Sequence, residues 1–182
     1  MDYKAKSTQV NMVLVVDEQD HVLTTAEKWQ AHADGLLHRA FSVQIFNQQG
    51  DFLLQQRAFE KYHSGGLWSN SCCGHPLQPS DTIGDATRRL EEELGFQTTL
   101  QPVFTFQYRA DVGDGLIENE IDHVFTGVYE GPIPFNPQEV SAIRWVSATE
   151  LADEMTQHPS NFTVWFRILF EQLMNYQTSP AH

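Results

Sequence analysis

Cysteine is scarce in this chain, and its two thiols, Cys72 and Cys73, are neighbours. Adjacent cysteines cannot close the long loops of a disulfide framework, so both are expected to stay free in a reducing, cytoplasmic compartment. Positive charge is scarce too: 11 Lys and Arg stand against 24 Asp and Glu, a formal net charge of −13. That balance repels a polyanionic backbone and argues against general DNA or RNA binding, while a few converging cations can still hold a small anion. No apolar run approaches the roughly 20 residues that span a bilayer. Met1 to Asn11 is polar and lacks the apolar core of a signal peptide. Repeats, low-complexity tracts and convincing linkers are missing as well. What remains is 182 residues, 41% hydrophobic and 19% charged. This is expected to fold as one domain, residues 1–182, with polar tails at about 1–9 and 177–182.

Val10 to Val16 reads as a buried strand with Val22 to Thr24 as its short return. Thr25 to His32 reads as a short helix capped by Thr25. His38 to Phe46 is strand-like, and after the turn Asn47-Gln-Gln-Gly50 the segment Phe52 to Arg57 is expected to pair back as a hairpin. Ala58 to Gly66 reads as an irregular loop. Val103 to Ala110 alternates apolar and polar residues, and after Gly113-Asp-Gly115 a long strand runs from Leu116 to Tyr129. Ile143 to Val146 is a short strand, Ser147 to Gln157 a capped helix, and Asn161 to Tyr176 a densely apolar last helix. Strands with helices between and after them imply an α/β (α+β) domain with a mixed or antiparallel sheet.

The chain centres on Trp68-Ser-Asn-Ser-Cys-Cys-Gly-His-Pro76, a turn, followed by the helical run Asp85-Ala-Thr-Arg-Arg-Leu-Glu-Glu-Glu-Leu-Gly-Phe96. In that helix Arg89 shares a face with Glu93, and Arg88 with Glu92. A Cys/Gly/His turn leading into a Glu-rich helix can hold a metal, a diphosphate, or both. His32, His38 and His75 stand where one site can collect them, and Glu118 and Glu120, two apart on a strand, share a sheet face. Imidazoles with carboxylates and no thiolate set suit Mn²⁺, Zn²⁺ or Mg²⁺. Any one of these histidines, taken singly, reads as an ordinary surface residue. Cys73 reads equally as a reactive thiol or as a small buried hydrophobe, and Cys72 as the latter. Glu92 and Glu93 read also as a solvated helical face, and Trp165 as core.

Gly74, Arg88, Leu90, Glu92, Glu93 and Gly95 match the Nudix box, Gly-x5-Glu-x7-Arg-Glu-U-x-Glu-Glu-x-Gly-U, where U is bulky and aliphatic. Ser80 and Arg89 stand where two of its glutamates belong. Those glutamates help bind the ions that cleave a diphosphate, so the departures argue against a Nudix pyrophosphohydrolase, the alternative reading. Leu37-His-Arg-Ala-Phe-Ser42, Trp68 to Pro76, Tyr108-Arg109 and Glu118-Asn-Glu120, in that order, resemble the type 1 isopentenyl-diphosphate isomerases.

The resemblance implies a Nudix-like mixed β-sheet flanked by helices, and an enzyme that interconverts isopentenyl and dimethylallyl diphosphate. It implies one metal (Mn²⁺, Zn²⁺ or Mg²⁺) on His32, His38, His75, Glu118 and Glu120. A second ion, Mg²⁺ carried by the substrate diphosphate, is implied at Glu93 and the Cys73 carbonyl. Lys28, Arg57, Lys61 and Arg89 are implied to hold the diphosphate, and Cys73, Glu120, Tyr108 and Trp165 to do the chemistry. The implied partner is a small allylic or homoallylic diphosphate; neither nucleic acid nor membrane is expected, and the protein is expected to be a monomer or homodimer. A non-catalytic binding or metal-storage domain is the remaining rival.

Overall fold

The computed structural model describes residues 11–178. The chain forms β1 (Met12–Val16), β2 (Val22–Glu27), α1 (Lys28–Asp34), β3 (His38–Phe46), β4 (Phe52–Arg57), β5 (Trp68–Ser69), β6 (Cys72–Gly74) and α2 (Thr82–Leu94). It continues through β7 (Gln101–Gly113), β8 (Leu116–Val128), β9 (Val140–Val146), α3 (Ala148–Gln157), a 3₁₀ turn at Pro159–Asn161 and α4 (Val164–Thr178). No helix among the described residues is long and apolar enough to cross a membrane.

β3 is the hub. One edge pairs in parallel with β8 along its whole length, from His38↔Glu120 to Phe46↔Val128. Its other edge is shared by β1 at His38, β6 at Phe41 to Val43 and β4 at Phe46. All but the last of its residues are buried, as expected for a strand covered on both faces.

Alternation along the strands sorts the two layers. Phe41, Val43 and Ile45 turn toward α2 and pack on its Ala86, Leu90 and Leu94. On the opposite face Val124, Leu54, Phe52 and Tyr108 pack against Trp165, Phe166, Leu169 and Phe170 of α4. The adjacent thiols obey the same rule. Cys72 is sealed in the α2 layer, and Cys73 points to the α4 layer. Gly74 beside them admits no side chain, because a Cβ there would come within 2.8 Å of the Phe41 ring.

Several boundaries differ from the sequence expectations. Thr25 does not cap a helix. It pairs with Leu14, and the β1–β2 ladder runs to Met12↔Glu27, so α1 starts only at Lys28. Ladder formation overrides the local reading there, and β-branched Thr24 and Thr25 suit a strand. β3 and β4 touch only at Phe46↔Phe52, and β4 spends its length on β9 instead. The Cys-Cys-Gly segment is a short strand rather than a turn. Residues 177–178, expected as tail, continue α4, and the expected tail residues 1–9 and 179–182 lie outside the described residues.

Candidate active site

Between the open end of the β3–β8 pair and the loop 58–66 lies a cavity of about 990 Å³. It is lined by Cys73, Tyr108, Glu120 and Trp165, with His75 and Glu118 beside them, and by Lys28, Arg57, Lys61, Arg89 and Glu93. His32 and His38 sit fully buried behind this wall. The residues that the resemblance implied for catalysis, metal and diphosphate are thus brought to one place.

His32 comes from α1, whose end is set by Gly35 at φ 63, a left-handed conformation that favours glycine. His38 opens β3, and His75 follows β6. Glu118 and Glu120 share a face of β8, as the i, i+2 spacing predicts. The ligand atoms of these five residues lie within 4.8 Å of one another. His32 Nε2 is 3.1 Å from Glu118 Oε2, and His38 Nε2 and His75 Nε2 are 3.3 and 3.1 Å from Glu120 Oε1. His38 Nδ1 donates to the Leu36 carbonyl at 2.8 Å, which leaves its Nε2 lone pair facing the cluster. Burial lowers the His38 pKa to about 4 and that of His75 well below the usual imidazole value, so both are neutral at pH 7. The buried Nε2 atoms of His32 and His38 and Oε2 of Glu118 have no hydrogen-bond partner. Buried polar atoms are rarely left so, and here three of them converge. Neutral imidazoles and carboxylates aimed at one point can hold a divalent metal ion.

Tyr108 donates to Glu120 Oε2 at 2.9 Å. Burial, and then the charge of Glu118, raise the pKa of Glu120 well above the carboxylate range. Burial likewise pushes the Cys73 thiol up to about 11, so it is protonated at neutral pH. Trp165 is 5% exposed. Its Nε1 donates to Ser69 Oγ at 3.0 Å, and the Arg57 guanidinium lies 5.1 Å from its ring. Phe162 and Phe166, its sequence neighbours, turn into the core instead.

A NUDIX domain matches residues 36–166. A Serratia proteamaculans isopentenyl-diphosphate Delta-isomerase is 48% identical over 162 residues, 89% of this chain and 90% of that protein. A Burkholderia multivorans protein of the same name is 47% identical over 88% of this chain and 91% of its own. This chain belongs to the isopentenyl-diphosphate Delta-isomerase family. Within solved structures the likeness is one of fold. A Methanosarcina mazei MutT protein superposes with TM-score 0.60 at 18% identity, over 79% of this chain and 96% of that one. A Deinococcus radiodurans structure reaches 0.64 at 18% identity, over 81% and 90%.

Four residues of the site, Tyr62, His63, Asp122 and Glu139, went unread in the sequence. His63 is buried, its Nε2 3.3 Å from Glu118 Oε1, and the Tyr62 hydroxyl lies 2.5 Å from His32 Nδ1. Both sit on a loop without periodicity, where the only signal was a Tyr-His pair ahead of Ser-Gly-Gly. Glu139 pairs with Lys61 and lies 3.6 Å from Arg89, so two of the expected diphosphate cations hold a carboxylate in its place. Glu93 is engaged on both oxygens, by Arg89 at 2.5 Å and Gln55 at 2.8 Å. Asp122, unassigned in the sequence, accepts from Ser42 Oγ at 2.6 Å, and burial lifts its pKa to about 7. His123 faces away, onto Asp20, where it anchors the β1–β2 turn.

Proposed function

We propose that this protein interconverts isopentenyl diphosphate and dimethylallyl diphosphate through a tertiary carbocation, with Cys73 and Glu120 as the acid–base pair. The reaction adds a proton to the terminal alkene carbon, leaving charge on the tertiary carbon, and removes a proton from the carbon next to it. It therefore needs one donor and one acceptor on a hydrocarbon kept from water. The observation that carries the reading is that a protonated thiol and a carboxylate held by Tyr108 line one cavity with the Trp165 indole. Since the reaction is reversible, the two groups exchange roles with direction.

Each remaining residue has a task. A thiol held neutral by burial has a proton to give to the alkene carbon, becomes a thiolate when it gives it, and regains a proton when the reaction runs back. The indole face stabilises positive charge without offering a nucleophile, worth about 2 kcal/mol when desolvated. Its hydrogen bond to Ser69 fixes the plane of that face. A divalent ion held by His32, His38, His75, Glu118 and Glu120 supplies the charge that lets both carboxylates be ionised side by side. Lys28, Arg57, Lys61 and Arg89 bind the diphosphate, a group that does not react, so that its binding positions the carbons. Arg89 and Lys61 turn to the diphosphate by releasing Glu93 and Glu139. Glu93, with the Cys73 carbonyl, would hold an Mg²⁺ carried by the substrate, which would offset the charge of the diphosphate.

The test is to incubate the enzyme with isopentenyl diphosphate in deuterated water. Deuterium in recovered substrate and dimethylallyl product is expected. Neither of these, together with phosphate release from a nucleoside diphosphate derivative, would replace this reading with hydrolysis.

A further inference from the structure

We propose that Tyr62 and His63 form an outer layer of the metal centre, His63 orienting Glu118 and Tyr62 orienting His32. The inference rests on the reading of the His/Glu cluster as a metal site and adds two positioning residues to it.

Hydrogen-bond accounting points to both. Glu118 is buried with two oxygens to satisfy. Oε2 looks toward His32 and His38, at 3.1 and 3.9 Å from their Nε2 atoms, and makes no hydrogen bond. Oε1 turns the other way and lies 3.3 Å from His63 Nε2. A proton on that nitrogen satisfies the outer oxygen and leaves the inner one for a cation. Without His63, Oε1 loses the partner that holds it on the outer side, and the carboxylate is freer to rotate.

His32 has the matching problem. A histidine that ligates through Nε2 carries its proton on Nδ1, and that proton needs an acceptor to fix the ring. For His38 the acceptor is a backbone carbonyl, that of Leu36. For His32 it is the Tyr62 hydroxyl at 2.5 Å, so this ring depends on a side chain. The Tyr62 ring also lies nearly parallel to that of His32, at 29° and 6.0 Å.

The placement links the two ends of the cavity. His63 meets the Trp165 ring edge-on at 5.7 Å while its Nε2 faces Glu118. The loop that carries the pair also carries Lys61 and is tied to Arg57, whose guanidinium donates to the His63 carbonyl at 3.2 Å. One short segment therefore bears on the metal centre, the indole and the anion-binding side chains together.

The experiment uses full-length protein loaded with Zn²⁺ and no substrate, following transfer of the ion to a chromogenic chelator. His63→Ala and Tyr62→Phe are each expected to weaken Zn²⁺ binding by roughly 10–100-fold, the range seen when partners of metal ligands are removed. His63→Gln, whose amide N–H can still donate to Glu118, is expected to recover most of that loss. Wild-type release from both His63→Ala and Tyr62→Phe overturns the proposal, and equal loss in His63→Ala and His63→Gln overturns the hydrogen-bond role of His63. Tyr62 is 41% exposed, so Tyr62→Phe decides its half of the proposal even if the buried His63 site tolerates no change. A wild-type protein that takes up no Zn²⁺ refutes the metal centre itself, whereas full uptake with unaltered release in the variants refutes only the outer layer.

Discussion

On α2, Glu92 and Glu93 meet Arg88 and Arg89 at 2.5–2.7 Å, whereas on β8, Glu118 and Glu120 meet imidazoles, two of which, His32 and His38, have an Nε2 without a hydrogen bond. Both clusters are acidic, and both border the same cavity. The helical one is neutralised by its own chain. Its exposed pairs are worth about 0–1 kcal/mol each, and its carboxylates are taken up by arginine as long as no substrate draws Arg89 away. The β8 one has no arginine or lysine within ion-pair distance among the described residues. Its ligand atoms lie within 4.8 Å of one another, where two unit charges repel by roughly 3 kcal/mol at an effective dielectric near 20. The lesson is that the position of an acidic motif matters less than what faces it. In a chain of Nudix fold, Arg89 in place of a box glutamate converts the usual ion-binding helix into an ion-paired one. The site that can take a cation lies across the cavity.

The sharpest way to separate the clusters is to remove single groups in and beside them. Cys73→Ala is expected to reduce turnover by about 10³-fold or more, within the range of a lost acid–base group, with metal content unchanged. Glu120→Gln is expected to lose metal and turnover together, and metal analysis beside product formation checks both. Retained metal and activity in Glu120→Gln would break the contrast. Next in size, Arg89→Ala should raise KM for the diphosphate on the order of tenfold, the loss of one charge-assisted hydrogen bond of about 1.5 kcal/mol. The same variant unpairs Glu93 and half of Glu92, so calorimetry should detect a new weak divalent site on α2. If none forms, arginine pairing is not what keeps ions off that helix.

The smallest effect is expected at Glu92, which is 42% exposed. Glu92→Gln should cost no more than about 1 kcal/mol of stability and leave metal content alone. Burial alone would raise the Glu92 pKa, but hydrogen bonds from Arg89 and Arg88 hold it below the ordinary carboxylate value. A depressed carboxylate contributes stability above its unfolded pKa and loses it as pH falls through the folded one. The gap between wild type and Glu92→Gln should therefore be open at pH 7 and close at strongly acidic pH in denaturant melts.

Much of this arrangement was legible because strands obey a period of two. The buried run His38 to Phe46 gave β3 at its true bounds, and the i, i+2 spacing put Glu118 and Glu120 on one face. The Nudix box and its departures located α2 and its arginines. What was not legible depends on contacts distant in sequence. β4 pairs with β9 rather than with its neighbour β3, and Thr25 joins a ladder whose other strand begins at Met12. Tyr62 and His63 sit in an irregular loop, where no periodicity says which way a side chain points. Glu139 reaches Lys61 from 78 residues away.

The central claim is that, without substrate, a cation belongs to the β8 cluster and not to the α2 helix. An anomalous-difference map from substrate-free crystals grown with Mn²⁺ or Zn²⁺ tests it most directly. One strong peak among His32, His38, His75, Glu118 and Glu120, with none at Glu92 or Glu93, is the predicted result. A peak on α2 with nothing between the histidines would contradict it.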